Sequence, residues 1–233
     1  EGVWSELTKS MDEVSSKDSY FLSQRIENGA NSPIIPFVRM NPAVADERFS
    51  SVLIICNSAT LPEREVTLLC TFATLFNEEF PKRAKELIVL ASERATECSS
   101  EQLCARARMQ VVATMDKVGL PSDNEFEHVL DTIRKSANEA TKFHVLLECA
   151  TSLAESSSDK CATLLDEATK IFEENEIEQG DAIELIKQLP ARLCSKLLFL
   201  VIDKNKNELQ RRAALGWLSN QFGKTGSPDN IEI

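Results

Sequence analysis

Apolar residues at helical spacing dominate this sequence, and prolines mark the points where the spacing restarts. After Pro62 the apolar positions lie three or four residues apart, at Val66, Leu69, Cys70, Ala73 and Phe76. This pattern predicts a helix over about 62–79, with Pro62 in the first turn, where its missing N–H is not needed. The chain has only 7 Gly and 8 Pro among 233 residues, which leaves few turns and favours long helices over short strands.

The same pattern continues towards the end of the chain. Pro81 opens a second helix, Ser99 or Ser100 can cap a third, and Gly119 followed by Pro121 ends that third helix. About ten helices are expected in all, and no convincing hairpin of strands. We therefore predict an all-α fold. Two architectures fit this prediction. The first is a helix-hairpin repeat array, that is, a right-handed solenoid of the tetratricopeptide or HEAT kind, and the second is an irregular helical bundle.

The predicted domain organisation is simple. We expect a single helical domain over 1–222, with a less regular part over 1–60 and the hairpin array over 62–222, followed by a flexible tail over 223–233. The run Leu193 to Ile202 is so apolar that burial is expected on most of its circumference.

The charge balance limits the classes of partner. Lys and Arg number 26 against 37 Asp and Glu, which gives a net charge of −11. Such a surface repels nucleic acid and anionic membranes, so RNA contact is expected only through local basic patches, if at all. No apolar run approaches the roughly 18 residues of a membrane span, so no membrane association is expected.

The seven cysteines are odd in number and irregularly spaced, which is typical of reduced thiols in a cytoplasmic protein. Cys70, Cys149, Cys161 and Cys194 lie on or beside apolar stripes, and we expect them in the core. Cys98 has polar neighbours and is the one expected to be exposed.

Few residues suit catalysis or metal binding. His128 with Asp131 and His144 with Glu148 could each place two ligands on one helix face, but neither pair has a defined third ligand. We expect both histidines to be ordinary surface or boundary residues. The sequence therefore predicts no catalytic residue, no metal site and no cofactor.

Basic residues cluster in two places and are the candidate partner-binding residues. Arg106 and Arg108 share one predicted helix; the second cluster is Lys204, Lys206, Arg211 and Arg212. A solvated face that offsets neighbouring carboxylates is one interpretation. Contact with an acidic partner, such as RNA within a larger assembly, is the other.

Several helices follow one another in a familiar order. The segment Glu65 to Phe76 comes first, then the helix opened by Pro81, then the basic helix Ala105 to Met115, and then Phe143 to Ala150 and Asp159 to Leu165. In this order the chain resembles the helical-repeat part of the PCI-domain family, found in the proteasome lid, the COP9 signalosome and translation initiation factor three. The resemblance implies a helical-repeat subunit whose partners are neighbouring PCI subunits.

These observations predict a non-enzymatic scaffold that binds protein subunits of a cytosolic complex. The resemblance implies that this complex acts in translation initiation. An alternative is a self-associating domain of a ribonucleoprotein granule or scaffold protein, with Leu193 to Ile202 packed across a homodimer interface. A third hypothesis, an enzyme that acts on RNA, would depend on His128 or His144.

Overall fold

A computed structural model describes residues 59–78, 80–136, 138–177, 182–205 and 207–225, together with Phe49, Leu53, Cys56 and Asn57, with side chains as far as Gln221. This part of the chain is helical, with no strand, which confirms the all-α prediction. Almost all of the predicted less regular part over 1–60 lies outside the described residues, as does the tail beyond Thr225.

The helices within the described residues are α1 (Pro62–Phe76), α2 (Pro81–Ala95), α3 (Glu101–Lys117), α4 (Asp123–Lys135), α5 (Glu139–Leu153), α6 (Ser158–Glu174), α7 (Ala182–Ile186), α8 (Ala191–Lys204) and α9 (Glu208–Thr225).

The chain divides into two compact units, the first ending at Glu125 and the second beginning at Phe126. In the first unit, α1 packs against both α2 and α3, and α2 packs against α3. In the second unit, α5 packs on α6, α6 on α8, and α8 on α9, while the short α7 contacts α5 and α8. In each unit, therefore, helices pack both on their neighbours in the chain and on a helix further along it, as α1 does on α3 and α6 on α8.

The ends of α1 and α2 follow from proline and from one tight turn. Pro62 and Pro81 are the first residues of their helices, as predicted. The expected end of the first helix near residue 79 is wrong, because α1 stops at Phe76. The backbone N–H of Phe80 donates to the carbonyl of Phe76 at 2.7 Å, which closes a turn there and directs the chain to Pro81.

Helix α3 is set at both ends by residues that the sequence marked. The Ser100 hydroxyl accepts the N–H of Leu103 at 3.2 Å, a standard N-cap. At the other end Gly119 has a φ of 75°, a left-handed conformation that favours glycine. The N–H of Leu120 donates to the carbonyl of Met115 and that of Gly119 to Asp116, which together form a Schellman motif.

The core of the first unit surrounds α1. Because this helix contacts two neighbours, it buries residues on more than one stripe, among them Phe72 and Phe76, which are 0% and 1% exposed. Phe76 meets Phe49 edge to face, with ring centroids 5.8 Å apart. Full burial of one such ring contributes about 1.5–3 kcal/mol to the stability of the unit.

The core of the second unit joins α5 and α6. Phe143 and Phe172 stack with ring centroids 5.2 Å apart, and both are fully buried. Cys161 lies in the same interface, where its thiol donates to the carbonyl of Ala150 at 3.5 Å.

The apolar run Leu193 to Ile202 falls within α8 and is largely covered. Cys194, Leu197, Leu198, Val201 and Ile202 are buried, whereas Phe199 is 46% exposed. Burial on most of the circumference is thus as expected, and the side of α8 that α6, α7 and α9 leave uncovered carries the exposed residues Lys196 and Phe199.

Candidate partner-binding surfaces

The first predicted basic pair lies on α3 and is partly covered. The Arg108 Nε lies 2.9 Å from Glu125 Oε1, and the side chains are 21% and 24% exposed. Arg106 is also half-buried and takes part in contacts of its own. The structure therefore places both cations beside protein groups, and at least Arg108 has a carboxylate partner.

The second predicted cluster lies where α8 ends and α9 begins. Lys204 Nζ donates to the backbone carbonyl of Phe172 at 2.7 Å and lies 4.8 Å from the centroid of that ring. Arg212 Nε lies 2.9 Å from Glu208 Oε1, and Arg211 reaches the same carboxylate at 4.0 Å. Lys206 lies outside the described residues. Lys204 thus secures α8 to α6, while Arg212 is more exposed than Arg211, at 76% against 41%.

A groove that the sequence did not point to opens on the second unit. It has a volume of about 300 Å³ and lies among the end of α4, the first half of α5 and the second half of α6. Its lining residues are Ile133, Arg134, Glu139, Lys142, Leu146, Glu167, Lys170 and Ile171. Apolar side chains therefore form part of the wall, with charged side chains beside them.

Ion pairs hold four of the five charged side chains that line the groove. Arg134 on α4 donates to Glu167 on α6, with Nε 3.0 Å from Oε1, and also contacts Asp131 at 3.2 Å. These carboxylates raise the pKa of Arg134 above its ordinary value, chiefly through the hydrogen bond to Glu167. On α5, Lys142 pairs with Glu139 at 2.8 Å.

Lys170 completes the lining and is its third cation. It is exposed, and it stands one turn beyond Glu167 on the same helix. With Arg134 and Lys142 it gives the groove three cations against the two carboxylates of Glu139 and Glu167. Asp131, which also contacts Arg134, balances the third cation, so the exposed ammonium group of Lys170, and not a net charge of the groove, favours an anionic group of a ligand or partner.

The last two helices also carry exposed apolar side chains. Phe199 on α8 is 46% exposed, and Leu209 and Leu215 on α9 are 78% and 44% exposed. In contrast, Ala214 and Leu218 are the residues through which α9 is buried. We call Phe199, Leu209 and Leu215 the terminal apolar residues.

The two histidines lie on different helices. His128 is exposed on α4, and His144 is half-buried on α5, with its ring centroid 5.5 Å from that of Phe143. Within the residues that the structure describes, no group of three or more His, Cys, Asp or Glu side chains is arranged to hold a metal ion.

The thiols separate into two groups. Cys70, Cys149, Cys161 and Cys194 are buried, as predicted, and so is Cys56. Burial raises the pKa of Cys70 and Cys194 to about 12 and that of Cys161 to about 11. Cys98 and Cys104 are partly exposed. The expectation that Cys98 alone would be exposed is therefore wrong, because Cys104 near the start of α3 is partly exposed as well.

The described part of the chain is therefore an all-α fold of packed helices. No protein-family model, curated protein or solved structure matches the chain. None of the described helices is both long enough and apolar enough to cross a membrane.

Proposed function

We propose that this protein is a non-enzymatic scaffold that binds protein partners within a multi-subunit complex. The observation that supports the proposal is the groove among α4, α5 and α6, where buried apolar side chains lie next to an exposed cation. Such a groove suits an extended tail or a helix end of another subunit, whose apolar side chain would contact Ile133 and Leu146.

The charge of the groove defines the kind of segment that would bind. Arg134 and Lys142 are already paired with Glu167 and Glu139, so Lys170 is the cation best placed to meet a carboxylate from the partner. The bound segment would therefore carry an acidic side chain or a C-terminal carboxylate close to an apolar residue.

The identity of the complex follows from the resemblance to the PCI-domain family and is part of the proposal. The particular likeness is to the m subunit of translation initiation factor three, which makes the other subunits of that factor the proposed partners and the cytoplasm the proposed location. The proteasome lid and the COP9 signalosome are the other PCI-type assemblies whose subunits are candidate partners.

Affinity capture from cytosol with the tagged chain, followed by mass spectrometry, tests both parts. Wild-type protein should capture initiation-factor subunits, and Lys170→Glu should reduce their recovery about fivefold, as expected for loss of one partly exposed charge pair. Lys196→Glu is the matched control, because Lys196 is 74% exposed on α8 and outside the groove. Equal recovery with both variants would exclude the groove, and absence of any subunit of the three assemblies would exclude a PCI-type complex.

A second candidate function is self-association, which the terminal apolar residues favour. Phe199, Leu209 and Leu215 are large apolar side chains on consecutive helices of one unit. A symmetric pair of chains would bury them from water. Light scattering at micromolar concentration would show a dimer that Phe199→Asp disrupts, while Val89→Asp, at a 58% exposed site on α2, would leave it intact. A wild-type monomer would exclude this candidate.

A further inference from the structure

The turn between α2 and α3 brings two thiols together. Cys98 lies in the turn and Cys104 in the first part of α3. The Cys104 thiol donates to the backbone carbonyl of Cys98 at 3.4 Å. This contact places the Cys104 sulfur atom directly beside the backbone of Cys98, the residue that carries the second thiol.

These two thiols also differ from the others in access. Cys56, Cys70, Cys149, Cys161 and Cys194 are buried, whereas Cys98 and Cys104 are both partly exposed. A small oxidant in solution therefore reaches this pair before the buried thiols.

We propose that Cys98 and Cys104 form a reversible intramolecular disulfide when the protein meets a hydroperoxide. In the first step one thiol attacks the peroxide, takes one oxygen as a sulfenic acid and releases water when the oxidant is hydrogen peroxide. In the second step the other thiol attacks the sulfenic sulfur, the S–S bond forms and a second water leaves. The two thiols lose two electrons in total, which the peroxide accepts.

The surroundings define the resting state and the rate of this reaction. Burial, with the neighbouring Cys104 and Glu63, raises the pKa of Cys98 to about 11. At neutral pH Cys98 therefore rests as a thiol, and we expect oxidation slower than that of a sensor cysteine with a lowered pKa. A small thiol reductant restores the pair by thiol–disulfide exchange.

The structural consequence is confined to the turn. Arg94, at the end of α2, contacts Glu65 on α1 and Glu97, the residue before Cys98. A disulfide would fix this turn against the capped start of α3, where Ser100 already binds the N–H of Leu103. The proposal does not depend on the proposed scaffold function.

The sequence allows a sharp test. Trypsin cleaves after Arg94 and Arg106 and at no residue between them, so one peptide, 95–106, carries both cysteines. The intact chain is treated with hydrogen peroxide, remaining thiols are blocked with iodoacetamide, and the digest is analysed by mass spectrometry. We expect this peptide to lose both alkyl groups and to weigh less than the free dithiol by two hydrogen atoms. Dithiothreitol before alkylation should restore both groups.

Three variants complete the test. Cys98→Ser and Cys104→Ser should each abolish the internal disulfide and leave a sulfenic acid that dimedone traps, while Ser99→Ala, in the same turn, should oxidise as wild type does. Circular dichroism verifies that each variant is folded. Full alkylation of both cysteines after peroxide, or oxidation of a buried cysteine before this pair, would overturn the proposal.

Discussion

Helices α1 and α9 contain similar numbers of large apolar residues but have opposite roles in their units. Eight of the 15 residues of α1 are buried, because the helix packs against both α2 and α3. Helix α9 has 18 residues and packs chiefly on α8, so Leu209 and Leu215 remain exposed. The difference follows the number of neighbouring helices: α1 lies against two and builds a core, whereas α9 lies chiefly against one and presents a surface.

The largest expected difference comes from truncating one apolar side chain in each helix. Phe72→Ala removes a ring that is 0% exposed and should lower the free energy of unfolding by about 3–5 kcal/mol. Leu209→Ala, at a site 78% exposed, should change it by less than about 0.5 kcal/mol. Urea unfolding followed by circular dichroism measures both. A cost above about 2 kcal/mol for Leu209→Ala would mean that α9 is covered in solution, as self-association requires.

Two glycines extend the comparison from side chains to the backbone. Gly119 has a positive φ, so Gly119→Ala should destabilise the protein by about 1–2 kcal/mol although nothing lies within 4 Å of the added methyl group. Gly216 lies inside α9 with the same open surroundings. Gly216→Ala should therefore stabilise the protein by up to about 1 kcal/mol. Effects of equal sign in thermal unfolding would contradict the assigned end of α3 or the assigned interior of α9.

A buried carboxyl in the first unit gives a pH-dependent prediction. Glu65 on α1 is 8% exposed, and Arg94 Nε lies 3.0 Å from its Oε1. Burial raises the pKa of Glu65, while Arg94 opposes that rise through its charge and hydrogen bond. The pKa of Glu65 in the folded state therefore lies above the ordinary value of 4.5. The stabilising contribution of Glu65 is complete below pH 4.5 and is lost as the pH rises through the folded-state pKa.

Removing the arginine should enlarge this pH dependence. Arg94→Met raises the pKa of Glu65 further, so the variant should lose about 1 kcal/mol at about pH 7.5 and much less at about pH 5.5. Adding Glu65→Gln should make the loss independent of pH. Lys196→Met, which removes an exposed contact with Glu173 at 3.9 Å, is the control. Urea titrations across this pH range that gave parallel curves for wild type and Arg94→Met would contradict the coupling.

The sequence predicted the parts of the fold that depend on nearby residues. Pro62, Pro81, Ser100 and Gly119 act within one helical turn of their own positions, and each marks a helix end as expected. The burial of the four cysteines on apolar stripes was predictable for the same reason, because periodicity identifies the face that packs.

The surfaces could not be predicted in this way. The groove exists because particular turns of α4, α5 and α6 lie side by side. Phe199 is exposed because none of the described helices covers that side of α8. Both depend on residues far apart in the sequence. The basic clusters show the same limit, since composition identified the cations but not their partners.

The smallest expected difference separates two cations that the sequence grouped together. Lys204 donates to the backbone carbonyl of Phe172 and lies over its ring, so Lys204→Met should cost about 0.5–1 kcal/mol of stability. Arg212 is 76% exposed, and its carboxylate partner within the described residues is Glu208 of the same helix. Arg212→Met should therefore cost less than about 0.5 kcal/mol. Thermal unfolding of the two variants side by side measures the difference. If the costs are equal, Lys204 does not secure α8 to α6 and is as available to a partner as Arg212; if they differ as expected, Arg212 is the residue of this cluster to test for binding.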